Sequence, residues 1–230
     1  VARPGAGGII ADMARILISL MLLALAAAPA RGSLLEPPDT EAGYLALLLI
    51  NETPFPGERG WVSEADTQAA MLSILWVLHG RIHHVPAGYR QEHVAAVRSQ
   101  DIIDVITVGG KRGQCDGFYR DARGRFVAEQ RVHDRVAYLM GIATKGEPGR
   151  FARLISYAQG LASGYAAGGP AGADRFAALH RVGSVEVTGR AYAWMTDTGS
   201  YDPGGRFVRI PNEQSGSLGG NRFFTLRKQP

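Results

Sequence analysis

Two glutamates six residues apart, Glu52 and Glu58, stand in the stretch INETPFPGERGWVSEADTQAAMLSILWVLHGRI that spans residues 50–82. Glu52 follows an apolar helical run and precedes Pro54 and Pro56, which forbid continuation of that helix. It therefore falls at a helix C-terminus, where unpaired carbonyls carry partial negative charge. That charge and apolar surroundings both disfavour an ionised carboxylate, so the spacing predicts a Glu with a raised pKa, the property of a general acid. Glu58 and Trp61 share the following turn, and a carboxylate beside an indole suits sugar hydroxyls and sugar faces. The competing reading makes Glu52 a solvated residue at a frayed helix end, as most glutamates are.

Two further constellations carry chemistry. Cys115, the single cysteine, lies in Gln114-Cys115-Asp116-Gly117-Phe118, and His180 in Leu-His-Arg-Val-Gly-Ser-Val is a candidate base for it. A lone cysteine is also commonly just a small buried apolar residue. His79 and His83 share one helix face with His84 adjacent, but no third ligand is in register and the intervening Glu of a zincin helix is missing. They read as a polar helix end, and neither metal nor cofactor is expected.

The elements that must position these groups follow from periodicity and caps. Asp39 or Thr40 caps a helix to about Asn51, with Tyr44, Leu45, Leu48 and Leu49 as its stripe. Ser63 opens a second helix with Asp66 at the capping-box position; its run Met71, Ile74, Leu75, Leu78 and Ile82 makes it the expected central helix. A short helix over 91–98 and a segment over 101–108, helical or extended, come next. The loop 109–119 is dense in polar and aromatic residues, and Asp121 to Gly124 is a turn. Val132 to Ala143 and Phe151 to Ala158 mark two more helices, 164–172 a flexible connector, and 174–180 a short helix. Residues 185–188, 191–195, 207–210 and 222–226 are strand-like between Gly- and Pro-rich turns such as Asp202-Pro203-Gly204-Gly205. Trp194, Tyr192, Tyr201 and Phe207 read as sheet-face residues. The expected class is α+β, mainly helical, with a small C-terminal antiparallel sheet.

Length and composition fit one domain over residues 41–228 behind a Glu36-Pro37-Pro38 linker at 33–40. Residues 13–32, MARILISLMLLALAAAPARG, have the basic start, short apolar core and Ala-Pro-Ala end of a secretory signal; residues 1–12 read as an extension from a mis-called start. The expected location is periplasmic or extracellular, without stable membrane association once the leader is removed. The net charge of +4 is mild and partly carried by Arg3 of the extension and Arg15 and Arg31 of the leader. No basic stripe with interleaved aromatics remains, so nucleic acid is not an expected partner.

These motifs together resemble the cell wall hydrolases of the spore cortex-lytic (SleB) type. Glu52 matches the first Glu of that family's E-A-R-G-E, and Glu58 the second. Met71 to Ile82 matches the following helix, with Gly80-Arg81 where the family has N-R. Gly113-Gln114 with Phe118 echoes its Q-F element, and Gly220-Asn221-Arg222-Phe223-Phe224 echoes its closing G-N-H-x-F-Y, with Arg in place of His. The carboxylates are six apart rather than four, and Pro54-Phe55-Pro56 reshapes the turn between them. The resemblance covers about residues 44–226. It implies a lysozyme-like helical domain and peptidoglycan as partner and substrate. The implied reaction is glycan-strand cleavage, lytic or muramidase in type, with Glu52 as acid and base. Glu58, Trp61, Gln114, Phe118 and Asn221 would shape the sugar site. A Cys115/His180 peptidase, vaguely resembling NlpC-type enzymes, is the first alternative and a non-catalytic wall-binding or structural protein the second.

Overall fold

The computed structural model describes residues 34–145, 149–196, 203–211 and 217–229. Two units divide the chain, Val1–Ser33 and Leu34–Pro230, and every described residue belongs to the second. The expected leader, Tyr201 and Asp202 lie outside the described residues.

The described unit is α+β and mainly helical, with small antiparallel sheets. Helix α1 (Glu41–Asn51) starts at Thr40, whose Oγ1 accepts from the Gly43 amide at 3.0 Å. Every residue from Ala42 to Ile50 is buried, as expected of a helix apolar on all sides. Full burial of a side chain such as Leu45, Leu48, Leu49 or Ile50 is worth roughly 1.5–3 kcal/mol each. This helix, and not the next one, is the centre of the core. The expectation for residues 64–83 fails because that helix, α2 (Glu64–His83), keeps Leu72, Trp76 and His79 partly exposed. Ser63 caps α2 through the Asp66 amide at 3.1 Å. The Asp66 carboxylate turns elsewhere and accepts the Gly219 amide at 2.7 Å, tying the helix start to the C-terminal sheet.

Helix α3 (Gln91–Ala95) stops early at Ala96, whose φ is 60°. Segment α4 (Ile102–Thr107) is helical, with Asp101 Oδ1 accepting from the Ile103 amide at 2.8 Å. A hairpin, β1 (Phe118–Arg120) and β2 (Phe126–Ala128), closes over the predicted turn. Tyr44 of α1 seals against it, with ring contacts to Phe118 at 5.3 Å and Phe126 at 4.9 Å and its hydroxyl donating to Val127 O at 2.9 Å. Helix α5 (Gln130–Ala143) and helix α6 (Arg150–Gly168) pack along α1. The expected connector over 164–172 is therefore helical to Gly168: buried Leu161 and Ala162 anchor α6 in the core and carry it past its glycines. The expected helix at 174–180 forms turns instead, held by the Asp174 carboxylate accepting the Phe176 amide and pairing with Arg190 at 2.6 Å.

The short ribbon β3 (Arg181–Val182) and β4 (Val185–Glu186) precedes the main sheet. In that sheet β7 (Asn221–Leu226) is central, flanked by β5 (Ala193–Thr196) and β6 (Phe207–Arg209), all antiparallel. All six residues of β7 are buried. Gly219 and Gly220 allow the strand to enter. Both have positive φ, and a Cβ on Gly219 would lie 2.5 Å from Ala70 Cβ. Among the described residues no helix is long and apolar enough to cross a membrane.

Candidate functional site

Glu52 is the C-cap of α1, with its own amide donating to Leu48 O at 2.9 Å. Its carbonyl accepts from Asn221 Nδ2 at 2.6 Å, which pins the helix end to the first residue of β7. Its carboxylate accepts the Trp194 indole N–H at 3.0 Å. The residue as a whole is only partly buried, but the protein around the carboxyl strips its water. This desolvation is the dominant influence and raises its pKa, opposed by hydrogen bonds from Trp194 and Asn51; Asp116 raises it further and Arg131 lowers it. The expected environment for Glu52 is thus present.

Glu58 has a different fate. Its Oε2 accepts the Phe55 amide at 2.7 Å, and the Arg135 guanidinium of α5 bridges both oxygens, from Nε at 3.1 Å and Nη2 at 2.5 Å. Arg135 also donates to Ile50 O at 2.6 Å and Thr53 O at 3.0 Å. Those are carbonyls at the end of α1 and just beyond it, so Arg135 acts as a C-terminal clamp as well as a counter-ion. Thr53 Oγ1 donating to Leu49 O at 2.8 Å and Thr67 Oγ1 to Pro54 O at 3.0 Å complete the bracing. Glu58 holds the turn's shape, and its carboxylate is committed to protein donors.

The other predicted site residues separate in the same way. Gln114 is exposed, with its Oε1 accepting from Arg81 Nη1. Arg81 is 5% exposed. It donates from Nε to Tyr192 O at 2.8 Å, and its Cζ lies 5.3 Å from the Trp194 ring centroid. A continuous array therefore runs from Gln114 through Arg81 and Trp194 to Glu52. Asn221 is fully buried and shares its amide with Glu52 O and Gly219 O. It supports the site from beneath and does not face a ligand. Phe118 is corrected outright: it is fully buried against Tyr44 and is a core residue, inaccessible to a sugar. Trp61 is half-buried, with the Arg150 guanidinium 5.8 Å from its ring centroid.

Sequence reasoning missed Arg81, Arg135 and the indole of Trp194. Arg81 carried one available signal, a charge on the apolar helix between Leu78 and Ile82. Burial depresses Arg81 to about 10, which leaves it charged at neutral pH, and no ion pair involving it forms among the described residues.

Cys115 and His180 are placed in unlike surroundings. The thiol is fully buried and pushed far above the ordinary thiol range, by burial first and the Glu52 charge second. His180 is exposed on the wall of a cavity of about 500 Å³ with Pro86, Glu186 and Lys228. His79 packs edge-on to Trp76 and 4.5 Å from His83. Burial lowers its pKa to about 4, with the neighbouring histidines adding to the effect. Among the described residues no three His, Cys, Asp or Glu side chains are placed to hold a metal ion.

No protein-family model, no curated protein and no solved structure matches this chain.

Proposed function

We propose that this protein is an exported peptidoglycan-cleaving enzyme that cuts the glycan strand with Glu52 as its single acid and base. The observation that carries the reading is Glu52 itself, a desolvated carboxyl at a helix end that is held by an indole N–H and, among the described residues, pairs with no guanidinium. Desolvation keeps the proton on this acid at a pH where an ordinary glutamate has lost it. The neutral carboxyl gives its proton to the glycosidic oxygen as that bond breaks. The resulting carboxylate is met by the Trp194 N–H. It then takes the proton of the muramyl 6-hydroxyl, whose oxygen closes on the anomeric carbon to leave an anhydro end and return the acid.

Hydrolysis with inversion or retention asks for a second free carboxylate across the scissile bond. Glu58 is engaged by Arg135, and Asp116 pairs with Arg131 at 2.7 Å. The single-carboxylate route therefore suits the site better than the two-carboxylate one. The Cys115 peptidase loses support, because a buried thiol with a raised pKa supplies little thiolate.

Purified peptidoglycan incubated with the parent, Glu52→Gln and Cys115→Ala tests the assignment. Anhydro-muropeptides from the parent and Cys115→Ala but not from Glu52→Gln are expected. Equal release by Glu52→Gln refutes the assignment. Free stem peptides lost only in Cys115→Ala would establish the peptidase. A parent that sediments with the wall and releases nothing would be a binding protein.

A further inference from the structure

Arg81 is an uncommon residue to bury. A guanidinium out of water costs several kcal/mol unless an anion accompanies it, yet its described partners are two neutral oxygens and the face of an indole. One of those oxygens belongs to Gln114, the exposed member of the set. Arginine has only donors, so the face of the Gln114 amide turned toward it has to be the oxygen. Rotating that amide by half a turn would set NH₂ against the guanidinium and leave a buried charged donor without its acceptor. The amide is thereby locked, with its Nε2 hydrogens directed away from Arg81. That nitrogen makes no hydrogen bond within the described residues. Arg81 in turn reaches Glu52 through Trp194, whose ring it faces and whose indole N–H donates to the Glu52 carboxylate.

We infer that Gln114, oriented by Arg81, is a specificity residue that reads the acetamido carbonyl of an N-acetylated hexosamine beside Glu52 and rejects the free amine of a de-N-acetylated one. The inference rests on the glycan-strand reading above and names what that site selects. A fixed pair of N–H donors suits a carbonyl, which only accepts. It offers nothing to an ammonium group, which only donates, and the buried charge of Arg81 behind it, which has no ion-pair partner among the described residues, repels a cation. A hydroxyl both donates and accepts, so it would not be discriminated. Acetylation state is the property that this arrangement distinguishes. Arg81 is a positioning residue here, acting through Gln114.

Binding can be read without turnover in Glu52→Gln, using tetramers of N-acetylglucosamine and of glucosamine titrated against tryptophan fluorescence and calorimetry. The expected preference for the acetylated tetramer is about tenfold or more, the size of one well-placed hydrogen bond together with removal of a charge clash. Adding Gln114→Glu keeps an acceptor facing Arg81 but turns an acceptor outward, and the preference should vanish or invert. Adding Arg81→Met frees the amide to rotate and should reduce the preference while far-ultraviolet circular dichroism stays that of the parent. An unchanged preference in the Gln114→Glu protein overturns the inference, as does failure of the acetylated tetramer to bind. The two proposals fail separately. Glycan release that depends on Glu52, with a preference indifferent to Gln114, removes only the selectivity. A preference that follows Gln114 in a protein that cuts no glycan removes only the acid.

Discussion

Glu52 and Glu58 sit on one turn, six residues apart, and differ in almost everything that matters to a carboxylate. Glu58 meets a guanidinium and a backbone amide, so its charge is matched and its geometry fixed. Glu52 meets an indole and low-dielectric surroundings, so its charge is costly and its pKa is raised. Sequence distance is the same from either one to the other; the difference is made by what the rest of the chain brings. Helix α5 delivers Arg135 to Glu58, and strand β5 delivers Trp194 to Glu52. The lesson is that charge compensation at one carboxylate builds the rigid turn on which the uncompensated one is held.

The sharpest way to break this contrast is to neutralise Glu52. Glu52→Gln should lower glycan release by about a thousandfold, within the range typical of a lost acid–base group, measured as muropeptides released per unit time. The same variant should be more stable than the parent at neutral pH. The folded-state pKa of Glu52 is raised above its unfolded value of 4.5, so the unfolded chain releases that proton first. Stability attributable to this group is fully present below pH 4.5 and declines as pH rises through the folded pKa. Thermal melts of the pair should coincide at acid pH and separate toward neutral pH, with Glu52→Gln the higher. Coincident melts at every pH would show that the carboxyl carries no burial penalty.

Removing the compensation at Glu58 should do the reverse and cost stability. Arg135→Met leaves Glu58 without its counter-ion and the Ile50 and Thr53 carbonyls without a donor. Both members of the pair are about a quarter to a third exposed, at 24% and 34%, so solvent screens the charges. The expected loss is about 2–3 kcal/mol, mostly from the charged hydrogen bonds, read by chemical denaturation. Glu58→Gln keeps an acceptor for the Phe55 amide and should cost less, about 1 kcal/mol. If the two variants cost the same, the clamp on α1 contributes nothing beyond the ion pair.

What was legible in the sequence was local. The cap at Asp39 or Thr40, which is Thr40, the cap at Ser63, the stop at Pro54 and the placement of Glu52 at a helix end all depend on neighbours within a few residues. The strands of the C-terminal sheet were legible from β-branched and aromatic runs between glycine turns. What decides the site joins residues far apart in the chain. Arg135 reaches Glu58 across 77 residues, and Trp194 reaches Glu52 across 142. No periodicity encodes such pairings, because they arise only when α5 and the sheet pack against the end of α1. Phe118 was misplaced for the same reason: an aromatic residue in a polar loop looks available until Tyr44 covers it. The α6 glycines were read as a connector because helix propensity is a local quantity, whereas their helix is held by burial at Leu161 and Ala162.

The smallest expected effect tests what Trp194 does for its carboxylate. The indole N–H is a hydrogen bond to the charged form and lowers the pKa of Glu52, against a larger elevation by desolvation. Trp194→Phe keeps an aromatic ring beside Arg81 and deletes the N–H donor, at the cost of the indole's second ring. The pKa of Glu52 should therefore rise further, and the alkaline limb of the kcat profile, where the acid loses its proton, should move to higher pH. The maximal rate should fall by about tenfold, because the carboxylate formed after proton donation has lost the donor that meets it; this is about the worth of one hydrogen bond to a charge. A fall in rate with the limb unmoved would make Trp194 a packing residue only. A limb shifted to lower pH would mean that the indole shields Glu52 from water more than it stabilises its charge. In that case the desolvation credited to the whole helix end would reside largely in one side chain.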